Sequence, residues 1–214
     1  MAMGLLLAVL DFTTTAADEF HDWYDLEHIP ERLSVPGFLK AQRWISTEKA
    51  TLSVATYDLE AYEVINGPGY RAITQPKPSP WTQRLQARYG QVMRFTGEQL
   101  VPGDQAGVDG AGGLLVVGMN IDEEVERDFQ DWYDKEHLPL LAAVPGVLLA
   151  RRYRSPEGRV GGLRRYAAVY HLTSPEVCTS AAWKAAVETP WTARIRPHMR
   201  DFLRVTCRPY VRAG

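Results

Sequence analysis

Apolar and polar positions along this chain follow one plan twice. The runs Leu5 to Phe12 and Leu114 to Ile121 are leucine-rich or β-branched and of strand length. Each leads to a helix start, at Thr13 to Thr15 or at Asp122. Acidic residues fill the first turn (Asp18 and Glu19, then Glu123, Glu124 and Glu126), as the helix dipole favours. Pro30 and Pro139 are expected to stop these helices, because the residue before a proline avoids the α region. Val35-Pro36-Gly37 and Val144-Pro145-Gly146 then turn the chain into strands over 38–46 and 147–154, and further strands follow over 53–59 and 166–172. A second helical region, with Pro80-Trp81-Thr82 and Pro190-Trp191-Thr192, precedes last strands at 92–99 and 203–210. The order is β-α-β-β-α-β in both copies, an α+β class with a ferredoxin-like arrangement.

The duplication is explicit in the residues. Asp22-Trp23-Tyr24-Asp25-Leu26-Glu27-His28-Ile29-Pro30 returns as Asp131-Trp132-Tyr133-Asp134-Lys135-Glu136-His137-Leu138-Pro139. Two ferredoxin-like repeats, 1–101 and 114–214, are therefore expected. Between them, 102–113 carries five glycines and reads as a flexible linker. A helix-covered sheet has one bare face, and a second sheet is its natural cover. The two sheets are expected to face one another about a pseudo-twofold axis.

Composition changes this picture little. The 214 residues are 45% hydrophobic and 23% charged, enough for a sizeable core in each half. A net charge of −2 gives no reason to expect nucleic acid, and the arginines between 194 and 212 read as solvated surface. Cys178 and Cys207 have neither disulfide-framework nor zinc spacing, which fits a reducing cytoplasm. Leu5 to Leu10 lacks a basic leader and is cut short by Asp11, so it reads as a strand rather than a signal peptide, and no stretch is long enough to span a bilayer.

The Trp-Tyr-Asp-x-Glu-His-x-Pro segment, the Val-Pro-Gly turn and the element order resemble the dimeric α/β-barrel superfamily, closest to its EthD-like branch, with both halves fused into a pseudo-dimeric barrel. That superfamily includes muconolactone isomerases, polyketide cyclases, cofactor-free antibiotic monooxygenases and haem-binding chlorite dismutases. The resemblance implies a fold, while the reaction has to come from the site.

On an ideal helix Phe20, Trp23, Tyr24 and Glu27 share one face with His28 at its edge, and Phe129, Trp132, Tyr133, Glu136 and His137 repeat the arrangement. A carboxylate among rings beside an imidazole suits proton transfer. The competing readings are structural: Glu27 and Glu136 as ion-pair partners of Arg43 and Arg152, which share a strand face with Ala41 and Ala150, and the histidines as helix caps. His21, Asp25 and His28 share a helix face that could hold a metal, but Gln130 breaks the pattern in the second copy, so no metal is expected. Haem would need an axial ligand, for which His171 and His198 are the candidates without a repeat equivalent. Trp81 and Trp191 are expected to pack helices onto the sheet. The proline-rich stretch Gln75 to Pro80 is a lid candidate, which favours the first repeat if one pocket works.

The expectation is a cofactor-independent enzyme that acts on a small apolar or aromatic metabolite by proton transfer (isomerisation, cyclisation or dehydration), or by cofactor-free oxygenation. His28 and Glu27, or His137 and Glu136, would be catalytic. Trp23, Tyr24 and Arg43, or Trp132, Tyr133 and Arg152, would bind a small-molecule substrate. The rival is a non-catalytic ligand-binding or stress-associated barrel. A homo-oligomer of the pseudo-dimer is compatible with either.

Overall fold

The computed structural model describes residues 2–157 and 164–212. The first repeat contains β1 (Gly4–Asp11), α1 (Ala17–Trp23), α2 (Ile29–Leu33), β2 (Phe38–Ser46), β3 (Leu52–Leu59), α3 (Pro68–Thr74), α4 (Pro80–Gln86) and β4 (Gly90–Val101). The second contains β5 (Gly113–Ile121), α5 (Glu126–Trp132), α6 (Leu138–Ala142), β6 (Val147–Arg154), β7 (Tyr166–Leu172), α7 (Ala181–Val187), α8 (Pro190–Ile195) and β8 (Met199–Pro209). Both follow the expected β-α-β-β-α-β order.

Within each repeat the strands lie in the order β4-β1-β3-β2 or β8-β5-β7-β6, every pair antiparallel. The expectation of two separate facing sheets needs correction. β2 pairs with β8 through Trp44↔Pro209, and β4 with β6 through Gln99↔Tyr153, so the sheets merge into one closed barrel. Edge strands carry unpaired N–H and C=O groups, and closure pairs them.

Strand alternation then supplies three cores. Leu5, Leu7, Val9, Val54, Leu114, Val116 and Val169 fill the barrel interior. Their strand neighbours point outward under the helices, with Leu6, Leu10, Tyr57 and Leu59 in one repeat and Leu115, Met119, Tyr170 and Leu172 in the other. Trp81 and Trp191 are half-buried against these outer cores. Gly37 and Gly146 close the Val-Pro-Gly turns at φ 92° and 93°, a left-handed conformation that explains why glycine recurs there.

Two further expectations change. The first helix does not stop at Pro30 or Pro139. A π-helical turn, Tyr24–His28 or Tyr133–His137, carries the axis into α2 or α6, which hold the proline in their first turn. Proline has no N–H to donate, and the π register of the preceding turn falls where that α-helical bond is missing. The segment 102–113 is also not a loose tether. Gly107 N–H donates to Asp58 Oδ2 at 2.7 Å, Lys40 Nζ to Gly107 O at 2.6 Å and Gln42 Nε2 to Val108 O at 2.9 Å, while Ala111 is buried in the interior core. A Cβ on Gly107 would stand 2.6 Å from Gln42 Oε1 and 2.8 Å from His171 Nε2, so only glycine approaches this closely. No helix among the described residues is long and apolar enough to cross a membrane.

Candidate active site

The π turn sets the site geometry. It widens the helix by one residue per bond, and Ile29 N–H reaches back to Tyr24 O. The face expected from an ideal helix therefore no longer holds across it. Arg43 and Arg152 do find carboxylates, but the partners are Asp25 at 2.8 Å and Asp134 at 2.5 Å, not Glu27 and Glu136. His21 Nδ1 at 2.8 Å and Gln130 Oε1 at 2.5 Å take the other guanidinium arm. Each guanidinium also lies over a tyrosine ring, Arg43 at 4.3 Å from Tyr24 and Arg152 at 4.5 Å from Tyr133. Arg43 thus occupies His21 and Asp25, two of the three residues considered for a metal.

Glu27 and Glu136 instead brace the second helical region. Glu27 Oε1 accepts from Ser79 Oγ at 2.5 Å and Thr82 Oγ1 at 3.3 Å, and Glu136 Oε1 accepts from Thr189 Oγ1 at 2.6 Å. Ser79 and Thr189 are the N-caps of α4 and α8. Trp23 Nε1 donates to Thr82 Oγ1 at 2.9 Å and Trp132 Nε1 to Thr192 Oγ1 at 3.2 Å, so the glutamate, the cap and the indole form one network in each repeat. Ser79 anchors the end of the proline-rich stretch in this way.

The indole is also the platform for the histidine. His28 lies 4.3 Å from Trp23, 5.2 Å from Tyr24 and 6.4 Å from Tyr57, ring to ring. His137 stacks on Trp132 at 4.2 Å, with Tyr133 at 5.1 Å. Burial, with Arg32 and then Arg43 nearby, pushes His28 well below the ordinary histidine value. Burial, with Arg196 and Arg152, lowers His137 to about 4. Both imidazoles are neutral at physiological pH, and Nδ1 of each is buried without a partner among the described residues.

Each histidine lines a cavity between the helices and the outer sheet face. The first repeat has one of about 340 Å³, walled by Trp23, Tyr24, His28, Tyr57, Tyr89 and Arg32. The second has one of about 410 Å³, walled by Trp132, Tyr133, His137, Tyr170, Arg196 and Arg204 among mostly apolar side chains. The expected Trp, Tyr and His of each repeat are thus brought together; Glu27, Glu136, Arg43 and Arg152 stand behind the walls. Among the described residues the Tyr24 and Tyr57 hydroxyls have no hydrogen-bond partner, although both residues are fully buried. Burial raises both phenols above their ordinary value, so they act as neutral donors. Sequence reasoning missed Tyr57, Tyr170 and Arg32. The tyrosines sit in apolar strands where they read as core, and their recurrence in both copies is the signal that marks them.

Missed as well was a polar cluster inside the barrel. Arg151 Nη1 binds Asp58 Oδ1 at 2.6 Å with both side chains almost fully buried, and His171 faces Gln42 Oε1 at 3.0 Å. His171 is therefore walled off from both helix–sheet cavities. His198 is partly exposed beside Asp122, 3.3 Å away.

Solved structures resemble this architecture along nearly its whole length. A candidate chlorite dismutase matches with TM-score 0.64 and 12% identity, covering 99% of this chain and 96% of its own. An anthrone oxidase-like protein matches with TM-score 0.62 and 12% identity, over 97% and 92%. A heme-binding protein from Thermus thermophilus matches with TM-score 0.57 and 10% identity, over 98% and 92%. The fold is the dimeric α/β barrel. At these identities the likeness concerns fold alone. No family model matches the chain, and no curated protein matches it in sequence. The histidines of the two cavities do not fit haem: an axial imidazole ordinarily has its second ring nitrogen fixed by a carboxylate or carbonyl, whereas among the described residues Nδ1 of His28 and of His137 has neither. His171 and His198 line neither cavity.

Proposed function

We propose that the first helix–sheet cavity is the active site of a cofactor-independent enzyme that moves a proton on a small aromatic or apolar metabolite, by isomerisation, cyclisation or dehydration. The observation that carries this reading is the meeting of a neutral imidazole, His28, with two unpartnered hydroxyls, Tyr24 and Tyr57, in one aromatic-walled cavity. A buried donor without an acceptor costs about 1 to 3 kcal/mol, and a ligand oxygen placed there relieves that cost.

In this scheme His28 takes a proton from a substrate O–H or an activated C–H, and the electron pair left behind moves onto a substrate oxygen. Tyr24 and Tyr57 donate hydrogen bonds to that oxygen. The protonated His28 then returns the proton to a different atom, so an isomerisation is balanced with no oxidant. A histidine with a lowered pKa is always ready as a base but a weak one, so the hydroxyls must supply much of the stabilisation. Glu27 acts at a distance as a positioning residue, through Thr82 and Trp23. The duplicated Trp-Tyr-Asp-x-Glu-His-x-Pro segment keeps the EthD-like branch as our assignment within the superfamily. Oxygenation of an electron-rich aromatic anion is the variant that begins with the same deprotonation. The rival binding-module reading retains the cavity and drops the proton transfer.

The test is exchange in D₂O. A panel of phenols, enolisable ketones and unsaturated lactones is incubated with the protein, and deuterium incorporation at carbon is followed by mass spectrometry. Exchange that disappears in His28→Gln supports the reading. Exchange in no compound, or equal exchange in His28→Gln, contradicts it.

A further inference from the structure

The two cavities are duplicates in position, and each is lined by two arginines, Arg32 and Arg94 or Arg196 and Arg204, but only the first holds a buried one. Residue 32 is arginine, while its repeat counterpart, residue 141, is leucine. Arg32 is only 4% exposed, which is unusual for a cation without a strong partner. Among the described residues its one carboxylate contact is Glu31, its own sequence neighbour, at 3.1 Å and partly exposed. The Tyr70 ring lies 5.7 Å from the guanidinium. Arg94, at the paired position Ala8↔Arg94, adds a second cation to the same cavity. Among the described residues no aspartate or glutamate lines it, and His28 is neutral. The walls therefore combine two guanidinium groups, two unpartnered tyrosine hydroxyls and a surround of flat rings.

The geometry points to a small planar aromatic carboxylate as the ligand class of the first cavity, with Arg32 as the residue that selects the anion. A buried guanidinium offers a fork of donors matched to carboxylate oxygens, and one whose single carboxylate contact among the described residues is the partly exposed Glu31 favours an anion over a cation or a neutral isostere. The ligand ring stacks against Trp23 and Tyr89 while the carboxylate faces Arg32. The second cavity, with Leu141 in the corresponding place, has no such buried anchor. Its Arg196 and Arg204 are both exposed, the first paired with Glu188 at 2.8 Å and the second donating to Thr206 Oγ1 at 3.2 Å. This inference rests on the reading of the first cavity as the working site, and concerns what enters it rather than what happens there.

The experiment is equilibrium binding of benzoate, salicylate and the neutral isostere benzamide, followed by calorimetry and by quenching of tryptophan fluorescence, in wild type, Arg32→Leu, Arg32→Lys and Arg196→Leu. Arg32→Leu installs the residue that the second repeat already packs at this place, so the fold is expected to persist, and a thermal melt checks it. The expected result is that benzoate or salicylate binds at least about tenfold tighter than benzamide, that Arg32→Leu removes this preference, that Arg32→Lys keeps part of it, and that Arg196→Leu leaves it intact. Equal affinity for the acids and the amide, undiminished acid binding in Arg32→Leu, or no binding of either acid at millimolar concentration overturns the inference. Arg32-dependent acid binding without deuterium exchange in any compound upholds the inference while removing the catalytic reading. Exchange without a charge preference does the reverse.

Discussion

Acid should unfold this protein earlier than its carboxylates alone would dictate. His137 and His171 are held neutral in the folded chain, at about 4 and about 3, by burial and then by nearby guanidinium groups. In the unfolded chain both titrate near 6.5. Below that value the unfolded state binds protons that the folded state refuses, so stability is fully present above about pH 6.5 and falls as pH drops toward the folded values. At pH 5 the linkage for each histidine amounts to about 2 kcal/mol, roughly 4 for the pair. His28 shifts in the same direction and adds to the loss. The depressed carboxylate Asp11, lowered to about 2 chiefly by its hydrogen bond from Lys49, matters only at lower pH. The assay is urea denaturation followed by circular dichroism at pH 7.5, 6.0 and 5.0, comparing wild type with His137→Leu. Wild type should lose several kcal/mol between pH 7.5 and 5.0, and the variant about 2 kcal/mol less. A pH-independent midpoint in wild type, or an undiminished slope in His137→Leu, would refute the burial argument for these imidazoles.

Other perturbations read the scaffold. Asp58→Asn strands Arg151 inside the barrel and should cost about 3 to 5 kcal/mol, seen as a fall of roughly 10 °C in melting temperature. Thr82→Val removes the acceptor of the Trp23 indole and a donor to Glu27; a loss of about 1 to 3 kcal/mol is expected in chemical denaturation, with Thr192→Val giving a similar loss in the second repeat. If catalysis uses neutral His28, kcat/KM in wild type should be flat through the ordinary histidine range and fall only at more acidic pH, because the base is already deprotonated there.

Much of this fold can be read from residue pattern. The strands follow from apolar runs and the duplication from the recurring Asp-Trp-Tyr-Asp-x-Glu-His-x-Pro segment, and both are consequences of local periodicity. The misses share a physical cause. Alternation cannot say which face of a barrel strand is interior when both faces are buried, so Arg151 and Arg152, adjacent in sequence, give no hint that one enters the barrel and the other meets Asp134 under a helix. The π turn depends on i→i+5 bonding that tertiary packing selects, and it moves Arg43 from Glu27 to Asp25. The glycine-rich segment suggests mobility, whereas Gly107 is small because Gln42 and His171 crowd it. Within the site, the Trp, Tyr and His of the motif are legible, since they recur. Arg32 is not, because its importance lies in what it contacts and in the leucine that replaces it in the other copy.

The central claim is that His28, and not its duplicate His137, works in catalysis. The direct measurement is turnover and melting temperature determined side by side for His28→Ala and His137→Ala, on whichever compound of the exchange panel reacts fastest. The account predicts that His28→Ala loses about 10² to 10⁴ in rate while keeping a cooperative melt, and that His137→Ala retains most of its activity. Full activity in both variants, or a His28→Ala protein whose only defect is a lowered melting temperature with normal specific activity, would contradict it and leave the binding barrel as the better description.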